Sequence, residues 1–291
     1  MIGIYGASGF IGKHLMREFQ QQGMAVMGTC NTHHMDGLVS FDILKDDFAV
    51  FNACQVVIIA GAYTDMGLCA RNKDLSEAIN VKGTGRLIQY LHARNIKPVF
   101  LSSNQVFSGD KGQYVENDIP DPRTTYGKQK LAIENLIQEL GADYLILRLS
   151  KVFSYDEAED SLYSQIASSL RNGEVVKAAY NQVYNPTDVG YLCRMIRLAV
   201  VYDMQGLYHL VEGEAISRFD FASRIAKDLG LALELVQPLD ILTLSLNEFP
   251  PLNGGLVNEK FLSELSVQLQ NSTTAADAVE LTKYLSGSHV H

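Results

Sequence analysis

The first twelve residues, MIGIYGASGFIG (1–12), decide the fold. An apolar run at 1–5 leads into the glycine pattern Gly6-Ala7-Ser8-Gly9-Phe10-Ile11-Gly12, and an amphipathic stretch follows until Gly23. This order is typical of the first strand, turn and helix of a parallel sheet, where small residues let the backbone approach a pyrophosphate and the helix N-terminus supplies unpaired N–H groups. The stretch predicts a dinucleotide-type phosphate site, although a tight strand-to-helix turn alone would look the same.

Short apolar runs alternate with helix-like stretches up to about residue 150, which predicts βαβ units in one parallel sheet. The predicted strands are Met1–Tyr5, Ala25–Cys30, Leu38–Phe41, Val56–Ala60, Pro98–Ser102 and Tyr144–Leu149. The predicted helices are Gly12–Gln22, Leu75–Asn95 and Thr125–Leu140. The run VVIIA at Val56–Ala60 is apolar throughout, as expected of a strand buried on both faces.

The pattern becomes irregular from about residue 151. It predicts helices at Ser161–Asn172, Asp188–Val201 and Arg218–Leu229, a strand at Gly206–Leu210, a loop over Pro238–Gly255 and two short final helices. We therefore expect an α/β fold with a Rossmann-type doubly wound parallel sheet over residues 1–150. Residues 151–291 are expected to form mainly a small α/β substrate-binding lobe, with some segments returning to the first domain.

Composition narrows the partners. Against 24 Lys and Arg stand 33 Asp and Glu, a net charge of −9, which argues against nucleic acid as a partner. No apolar run reaches the roughly 20 residues needed to cross a bilayer, and the first residues lack the charged start of a secretion signal. We expect a cytoplasmic protein without a membrane partner, in which local N–H groups and a few cations hold any phosphate.

The cysteines and histidines predict no metal site. The cysteines are far apart without a CxxC pair, which indicates reduced and mostly buried thiols. They are Cys30, Cys54, Cys69 and Cys193. The pair His33-His34 and the terminal His289 and His291 are interpreted as a solvated loop and a chain end rather than as metal ligands.

The end of the second predicted strand bears on the choice of cofactor. In many dinucleotide sites a carboxylate here binds the ribose 2′-OH, but the segment TCNTHH (29–34) has no Asp or Glu. Because a carboxylate would repel a 2′-phosphate, the segment, with Asn31 at its centre, favours NADP(H). NAD stays open, since no Lys or Arg is present either. Asp42 and Ile43 after the third strand are placed for contact with an adenine, or form an ordinary turn.

Two further patterns carry possible chemistry. In YGKQK (126–130), a spacing of four places Tyr126 and Lys130 on one helix face, where the ammonium could lower the tyrosine pKa from about 10 and make the phenol a general acid or base. Such a pair can also be an ordinary solvated one. In LSSNQVF (101–107), hydroxyls follow a strand and could donate to a substrate carbonyl, or act as turn residues.

Taken together, these motifs resemble the extended branch of the short-chain dehydrogenase/reductase superfamily, and most of all the dTDP-4-dehydrorhamnose reductases and related sugar-nucleotide-binding proteins. The resemblance spans nearly the whole chain. Its marks are Gly6–Gly12, Ala60–Thr64, Asn80–Thr84, Ser102–Phe107, Tyr126–Lys130, Arg148–Phe153, Tyr184–Val189 and Pro251–Asn253. One departure is Gln105, where the reductases usually have an aromatic residue, and the chain contains no Trp.

The resemblance implies roles for particular residues. Ser103 would be the catalytic hydroxyl, Tyr126 the proton donor and Lys130 the residue that holds the nicotinamide ribose. The implied cofactor-binding residues are Gly6, Ser8, Gly9, Phe10, Ile11, Gly12, Asn31, Asp42, Ile43, Ala60, Gly61, Ala62, Tyr126 and Lys130. The implied substrate-binding residues are Tyr63, Asn104, Val152 and Pro186.

The function expected from this resemblance is an NAD(P)H-dependent reductase of a 4-keto nucleotide sugar in polysaccharide biosynthesis. One alternative is an NAD-dependent nucleotide-sugar epimerase or dehydratase that retains its cofactor. Another is a non-catalytic NADP-binding regulatory subunit like the β-subunit of methionine adenosyltransferase. A homodimer that pairs through the helices flanking the sheet is also compatible with the resemblance, and the nucleotide base and the sugar configuration stay open.

Overall fold

A computed structural model describes residues 1–141 and 143–270. Its strands are β1 (Ile2–Tyr5), β2 (Val26–Cys30), β3 (Val39–Ser40), β4 (Val56–Ile59), β5 (Lys97–Ser103), β6 (Leu145–Leu149), β7 (Lys151–Phe153), β8 (Val176–Ala179), β9 (Val183–Tyr184), β10 (Pro186–Asp188), β11 (Gly206–His209), β12 (Ile216–Ser217) and β13 (Val236–Leu239). Its α-helices are α1 (Phe10–Gln21), α2 (Met66–Arg71), α3 (Lys73–Glu77), α4 (Thr84–His92), α5 (Thr125–Leu140), α6 (Leu162–Arg171), α7 (Val189–Val201), α8 (Arg218–Asp228) and α9 (Glu259–Gln270).

The central sheet has seven strands in the order β11-β6-β5-β4-β1-β2-β3, and all its neighbouring pairs are parallel. The chain runs outward from β1 on one side and, after crossing back to β4, outward on the other. The carboxyl ends of β1 and β4 therefore flank the point where the strand order reverses, which is where open α/β sheets bind their ligands. The predicted Rossmann-type parallel sheet is confirmed.

Helices cover both faces of this sheet. On one face, α1 and α7 pack over the strands through buried residues such as Leu15, Phe19 and Ile196. On the other face, α4 and α5 contribute Leu87 and Ile133 to a second cluster. Since both faces are covered, the central strand β4 is apolar along its whole length, as the run at Val56–Ala60 indicated.

A smaller layer lies beyond the carboxyl edge of the sheet. Here β8 pairs in parallel with β13, and α6 and α8 pack together around Phe153, Ile166, Phe221 and Ile225. Two short ladders, β7–β10 and β9–β12, connect this layer to the sheet. Although β11, α7 and α9 come from the second half of the chain, they belong to the central sheet and its core. A domain boundary at residue 150 stays a prediction.

Two predictions differ from the structure in detail. The predicted helix Leu75–Asn95 corresponds to a continuous helical segment over residues 73–92, in which α3 passes through a π-helical turn at Ala78–Gly83 into α4. The predicted loop Pro238–Gly255 begins within β13 and contains a 3₁₀ turn at Ile241–Thr243. Of the two final helices only α9 falls within the described residues, and His289 and His291 lie outside them.

The structure also describes the cysteines and the hydropathy of the helices. All four cysteines are buried free thiols. Within residues 1–141 and 143–270, no helix is both long and apolar enough to cross a membrane.

Candidate active site

A cleft of about 950 Å³ runs along the carboxyl edge of the sheet and continues between the sheet and the smaller layer. Most residues that the sequence assigned to a site line this cleft. They are Gly6, Ser8, Gly9, Phe10, Ile11, Asn31, Asp42, Ile43, Ala60, Gly61, Ala62, Tyr63, Ser103, Asn104, Tyr126 and Val152. Gly12, Lys130 and Pro186 are not among the lining residues.

The glycine turn brings two loops into backbone contact. Gly6 has a φ of +83°, and a Cβ placed on it would lie 2.4 Å from the Cα of Gly61. A side chain at Gly6 would thus separate the loops after β1 and β4. Gly12 has a different task, since a Cβ there would meet the carbonyl oxygen of Gly6 at 2.2 Å. Its lack of a side chain lets α1 pack on the turn, and the expected role of Gly12 in binding a cofactor stays a prediction.

The N-terminus of α1 is open to an anion. Its N-cap is Gly9, which offers no side chain to the first N–H groups, and the first turn contains no acidic residue. These N–H groups and the positive end of the helix dipole therefore stay available to a negatively charged ligand in the cleft.

The wall formed by β2 and the segment after β3 contains exposed Asn31 and half-buried Asp42. Asp42 accepts a hydrogen bond from the Leu44 N–H at 2.9 Å, and its other oxygen pairs with the Lys45 Nζ at 3.0 Å. First the Leu44 hydrogen bond and then Lys45 hold the pKa of Asp42 below its usual value. The carboxylate is therefore charged, and both of its oxygens already have partners.

The sheet and α5 together place Ser103 and Tyr126. Ser103 ends β5, where its Oγ accepts a hydrogen bond from the Gln105 N–H at 3.2 Å. The Thr124 side chain caps α5 by accepting from the Gly127 N–H at 3.0 Å. A Cβ on Gly127 would come within 2.1 Å of the Gln105 carbonyl oxygen. The first turn of α5 thus packs directly on the turn after Ser103, and both side chains face the cleft.

Lys130 lies behind Tyr126, with its side chain only 6% exposed. Its Nζ donates to the Leu101 carbonyl at 2.7 Å and lies 5.6 Å from the centroid of the Tyr126 ring. Burial lowers the pKa of Lys130 to about 8, against the opposing effect of Glu134. Burial also raises the pKa of Tyr126, instead of the lowering that the spacing suggested. The expected depression fails because the ammonium is directed to a carbonyl and desolvation of the phenol dominates.

A buried amide network that the sequence did not reveal holds the loop after β4. The Asn80 Oδ1 accepts from the Tyr63 N–H at 2.8 Å, while its Nδ2 donates to the Tyr63 carbonyl and to the Gln129 Oε1 at 2.9 and 2.8 Å. Asn80 lies in the π-helical turn, and its hydrogen bonds hold the backbone of Tyr63 at the edge of the cleft. The motif at Asn80–Thr84 is recognisable in the sequence, but no local pattern indicates that Asn80 contacts Tyr63 and Gln129.

The smaller layer contributes a wall whose residues were not named as site residues, although Lys151 and Tyr184 lie within the motifs Arg148–Phe153 and Tyr184–Val189. Lys151 on β7, Gln182, Tyr184 on β9 and Arg218 at the start of α8 line it. Pro186 lies next to this wall but pairs with Lys151 in the β7–β10 ladder. Residues so distant in sequence converge only through the short ladders, for which no local pattern exists.

No group of three or more His, Cys, Asp or Glu side chains that could hold a metal ion occurs in the residues with described positions.

Comparison with known proteins gives consistent results. Residues 1–282 match the family described as the RmlD substrate binding domain. The probable low-salt glycan biosynthesis reductase Agl14 of Haloferax volcanii is 28% identical over 249 residues, or 80% of this chain and 82% of that protein. The methionine adenosyltransferase 2 subunit beta of Bos taurus is 24% identical over 248 residues, or 81% and 74% of the two chains.

The fold has a match among solved structures. The crystal structure of dTDP-4-dehydrorhamnose reductase from Bacillus anthracis in complex with NADP is 21% identical and covers 99% of both chains with a TM-score of 0.79. The likeness in fold extends over the sheet and the smaller layer alike. With the family match spanning nearly all 291 residues, the chain belongs to the RmlD substrate binding domain family.

Proposed function

We propose that the protein is an NADPH-dependent oxidoreductase that reduces the keto group of a nucleotide-linked 4-keto sugar, in the manner of the dTDP-4-dehydrorhamnose reductases. The observation that carries the proposal is one cleft in which Ser103 and Tyr126 lie at the carboxyl edge of the same sheet as the glycine turn. Membership of the family and the relative described as a probable glycan biosynthesis reductase support it.

The residues present fit a nicotinamide dinucleotide. The contact between Gly6 and Gly61 leaves backbone rather than side chains at the turn, and the uncapped start of α1 suits a pyrophosphate. The residue that follows β2 is Asn31, which has no carboxylate. The two carboxylate oxygens of Asp42 already contact the Leu44 N–H and the Lys45 ammonium. These features favour NADP(H) over NAD(H), since a free carboxylate would repel a 2′-phosphate. When bound, the cofactor supplies the hydride.

The chain's own residues supply the proton and the orientation. The raised pKa of Tyr126 keeps the phenol protonated at neutral pH, so it can donate to the oxygen that gains negative charge during reduction. Ser103 hydrogen-bonds the same oxygen and fixes the carbonyl. Lys130, charged below about pH 8, stabilises the phenolate that Tyr126 becomes. The protein thus positions the carbonyl and manages one proton.

The substrate lies toward the smaller layer in this proposal. Tyr63, Asn104 and Val152 line the cleft on that side and are proposed to contact the sugar. Pro186 does not line the cleft, and in this proposal it supports the wall from behind, where it pairs with Lys151 in the β7–β10 ladder. We propose a nucleotide sugar as the substrate and a homodimer as the assembly of the protein.

Tyr126→Phe tests the mechanism. The variant should lower kcat for NADPH oxidation with a 4-keto nucleotide sugar by roughly 10²–10⁴-fold, the usual contribution of a general acid. The affinity for NADPH, measured by fluorescence titration, should stay nearly intact, because only the phenol hydroxyl is removed and the ring remains. Tyr90→Phe removes a phenol hydroxyl on α4 outside the cleft and should behave as wild type. Comparable turnover in the Tyr126 variant would contradict the assignment.

A regulatory role is the second candidate, favoured by the likeness to the methionine adenosyltransferase subunit beta. It predicts NADPH binding without oxidation by any 4-keto nucleotide sugar, together with formation of a complex with a methionine adenosyltransferase. An epimerase or dehydratase would instead retain tightly bound NAD after purification and release none during turnover. Absorbance of the purified protein and a panel of 4-keto sugars separate the three.

A further inference from the structure

We propose that Lys151, Tyr184 and Arg218, which we call the lobe wall, form a binding site for an oxyanion of the nucleotide sugar, separate from the phosphate site at the glycine turn. The proposal rests on the function proposed above and names the residues that would select its substrate. The oxyanion is either the diphosphate or a carboxylate on the sugar.

The fold brings the three residues together through two short ladders. The Arg218 N–H donates to the Gln182 carbonyl at 2.9 Å, and Ile216, two residues earlier, pairs with Tyr184. Lys151 begins β7 directly after Ser150, whose Oγ accepts a hydrogen bond from the Asn185 N–H at 3.1 Å. All three side chains belong to residues that line the same cleft.

The two cations face the cleft without a neutralising partner. In the described part of the chain, neither Lys151 nor Arg218 forms an ion pair. Among the residues that line the cleft, Asp42 is the one carboxylate, and it is held by Lys45 at the opposite wall. Lys151 is an exposed residue, and its pKa lies below the usual value, first because the surrounding protein partly desolvates the ammonium and second because Arg218 is near. Like charges held together in a protein of net charge −9 are relieved by an anion.

Tyr184 supplies an independent indication. Its residue is 5% exposed, and its hydroxyl is buried with no hydrogen-bond partner among the described residues. A buried hydroxyl without a partner costs free energy, which a ligand can recover by accepting its hydrogen bond. Burial raises the pKa of Tyr184 and Arg218 opposes the shift, so the phenol lies within the field of the guanidinium.

Charge favours the diphosphate as occupant. A diphosphate diester carries two negative charges and several acceptor oxygens, which match two cations and one hydroxyl donor. A sugar carboxylate has the same chemistry with one charge fewer.

The test compares Lys151→Met, Arg218→Met, the double variant and Tyr184→Phe by calorimetric titration with UDP-glucose, dTDP-glucose, UDP-glucuronic acid and UDP, in the presence of NADP⁺. Each charge removal should weaken binding roughly 10- to 100-fold, as for a hydrogen bond to a charged group. Tyr184→Phe should weaken it about 2- to 10-fold without loss of thermal stability, because its hydroxyl has no protein partner. Affinity for NADP⁺ alone should not change.

Lys177→Met on β8 and Arg224→Met on α8 are matched controls, since both are exposed cations of the smaller layer that do not line the cleft. Equal losses for UDP-glucose, UDP-glucuronic acid and UDP identify the diphosphate, and a loss confined to UDP-glucuronic acid identifies a carboxylate. Wild-type affinity in the lobe-wall variants, equal losses in the controls, or no binding of any nucleotide sugar by the wild type would overturn the proposal. Turnover is measured separately, so an inactive wild type that shows these losses would contradict the reductase function alone.

Discussion

For the single residue Lys130, the spacing from Tyr126 predicts the shared helix face but not how burial changes the pKa values. Four residues apart on α5, Tyr126 and Lys130 do share a helix face. How deeply that face is buried depends on Phe100 and Leu101 of β5, about thirty positions earlier in the chain. The Lys130 Nζ lies 4.6 Å from the centroid of the Phe100 ring and 2.7 Å from the Leu101 carbonyl oxygen. Because desolvation comes from these distant residues, the sequence predicted the pair but not the direction of either pKa shift.

The pKa of Lys130 leads to a pH prediction. Its value of about 8 means that Lys130 loses its charge as the pH rises through 8, while the raised pKa of Tyr126 keeps the phenol protonated over the same range. We expect kcat/KM for reduction to be level from about pH 6 to 7.5 and to fall by up to about tenfold per pH unit above 8. Initial rates with NADPH across this range measure the effect.

Lys130→Arg provides the comparison, because arginine stays charged well above pH 10. The decline near pH 8 should disappear or move upward in this variant, whereas Lys128→Arg on the exposed face of the same helix should keep it. The midpoint of thermal unfolding at each pH verifies that the protein is folded. A flat wild-type profile to about pH 9.5 would contradict the role given to Lys130.

At the scale of elements, α5 was predictable because its ends are local. Thr124 caps its start and Gly141, with a φ of +68°, follows its last residue, so the predicted bounds agree with Thr125–Leu140. The helix before it was also predicted, but not its π-helical turn, in which Asn80 reaches Tyr63 and Gln129. Capping residues adjoin their helix in the sequence, so a local pattern reveals them. Tertiary contacts join residues that are far apart in the sequence, and no local pattern reveals those.

The contact of α5 with the sheet contains a buried ion pair. Glu134, one turn after Lys130, accepts two hydrogen bonds from Arg148 on β6, at 2.7 Å and 3.1 Å, and another from Ser102 on β5. The two charged side chains are 4% and 1% exposed. Arg148 also meets the ring of His209 on β11, where burial first and Arg148 second lower the histidine pKa to about 3. This network fixes α5, and with it Tyr126, against the strand that ends in Ser103.

Breaking this pair should destabilise the fold. Glu134→Gln or Arg148→Met each leaves one buried charge without its counterpart, and we expect a loss of about 3–5 kcal/mol in the free energy of unfolding by urea. The double variant should lose less than the sum of the two, since it leaves no unpaired charge. Glu157→Gln breaks an exposed pair with Arg171, 40% and 49% accessible, and should leave the free energy of unfolding nearly unchanged because water screens the two charges. Additive losses in the double variant would show that the pair does not act as a unit.

For the whole molecule, the order of motifs predicted the parallel sheet and a strand at Gly206–Leu210, but not that this strand is the seventh of the sheet. β11 pairs with β6 although more than fifty residues separate them, and those residues include α6 and β8 of the smaller layer. The candidate site divides in the same way. The glycine turn, Ser103 and Tyr126 carry local patterns, whereas Lys151, Tyr184 and Arg218 meet only after the chain has returned.

Because later segments of the chain return to the central sheet, we can predict how residues 1–150 behave as a separate fragment. Much of the core over one face of the sheet comes from later in the chain. These later residues include Leu192, Met195, Ile196 and Leu198 of α7, Tyr208 of β11, and Phe261, Leu265 and Leu269 of α9. Without them, Leu15 and Phe19 of α1 and the adjoining face of the strands would meet water, and each large apolar side chain left exposed forfeits about 1.5–3 kcal/mol. Because a folded domain has only about 5–15 kcal/mol to lose, the fragment should not fold.

Urea titration followed by circular dichroism measures this directly. Residues 1–150 should show a weak, non-cooperative transition, whereas residues 1–270, which end with α9, should unfold cooperatively as the full chain does. The comparison separates a sheet that is complete by itself from one that needs the later helices. A sharp transition in the short fragment would mean that α7, β11 and α9 only cover a core that α1 and the first strands already stabilise, and residue 150 would then be a true domain boundary.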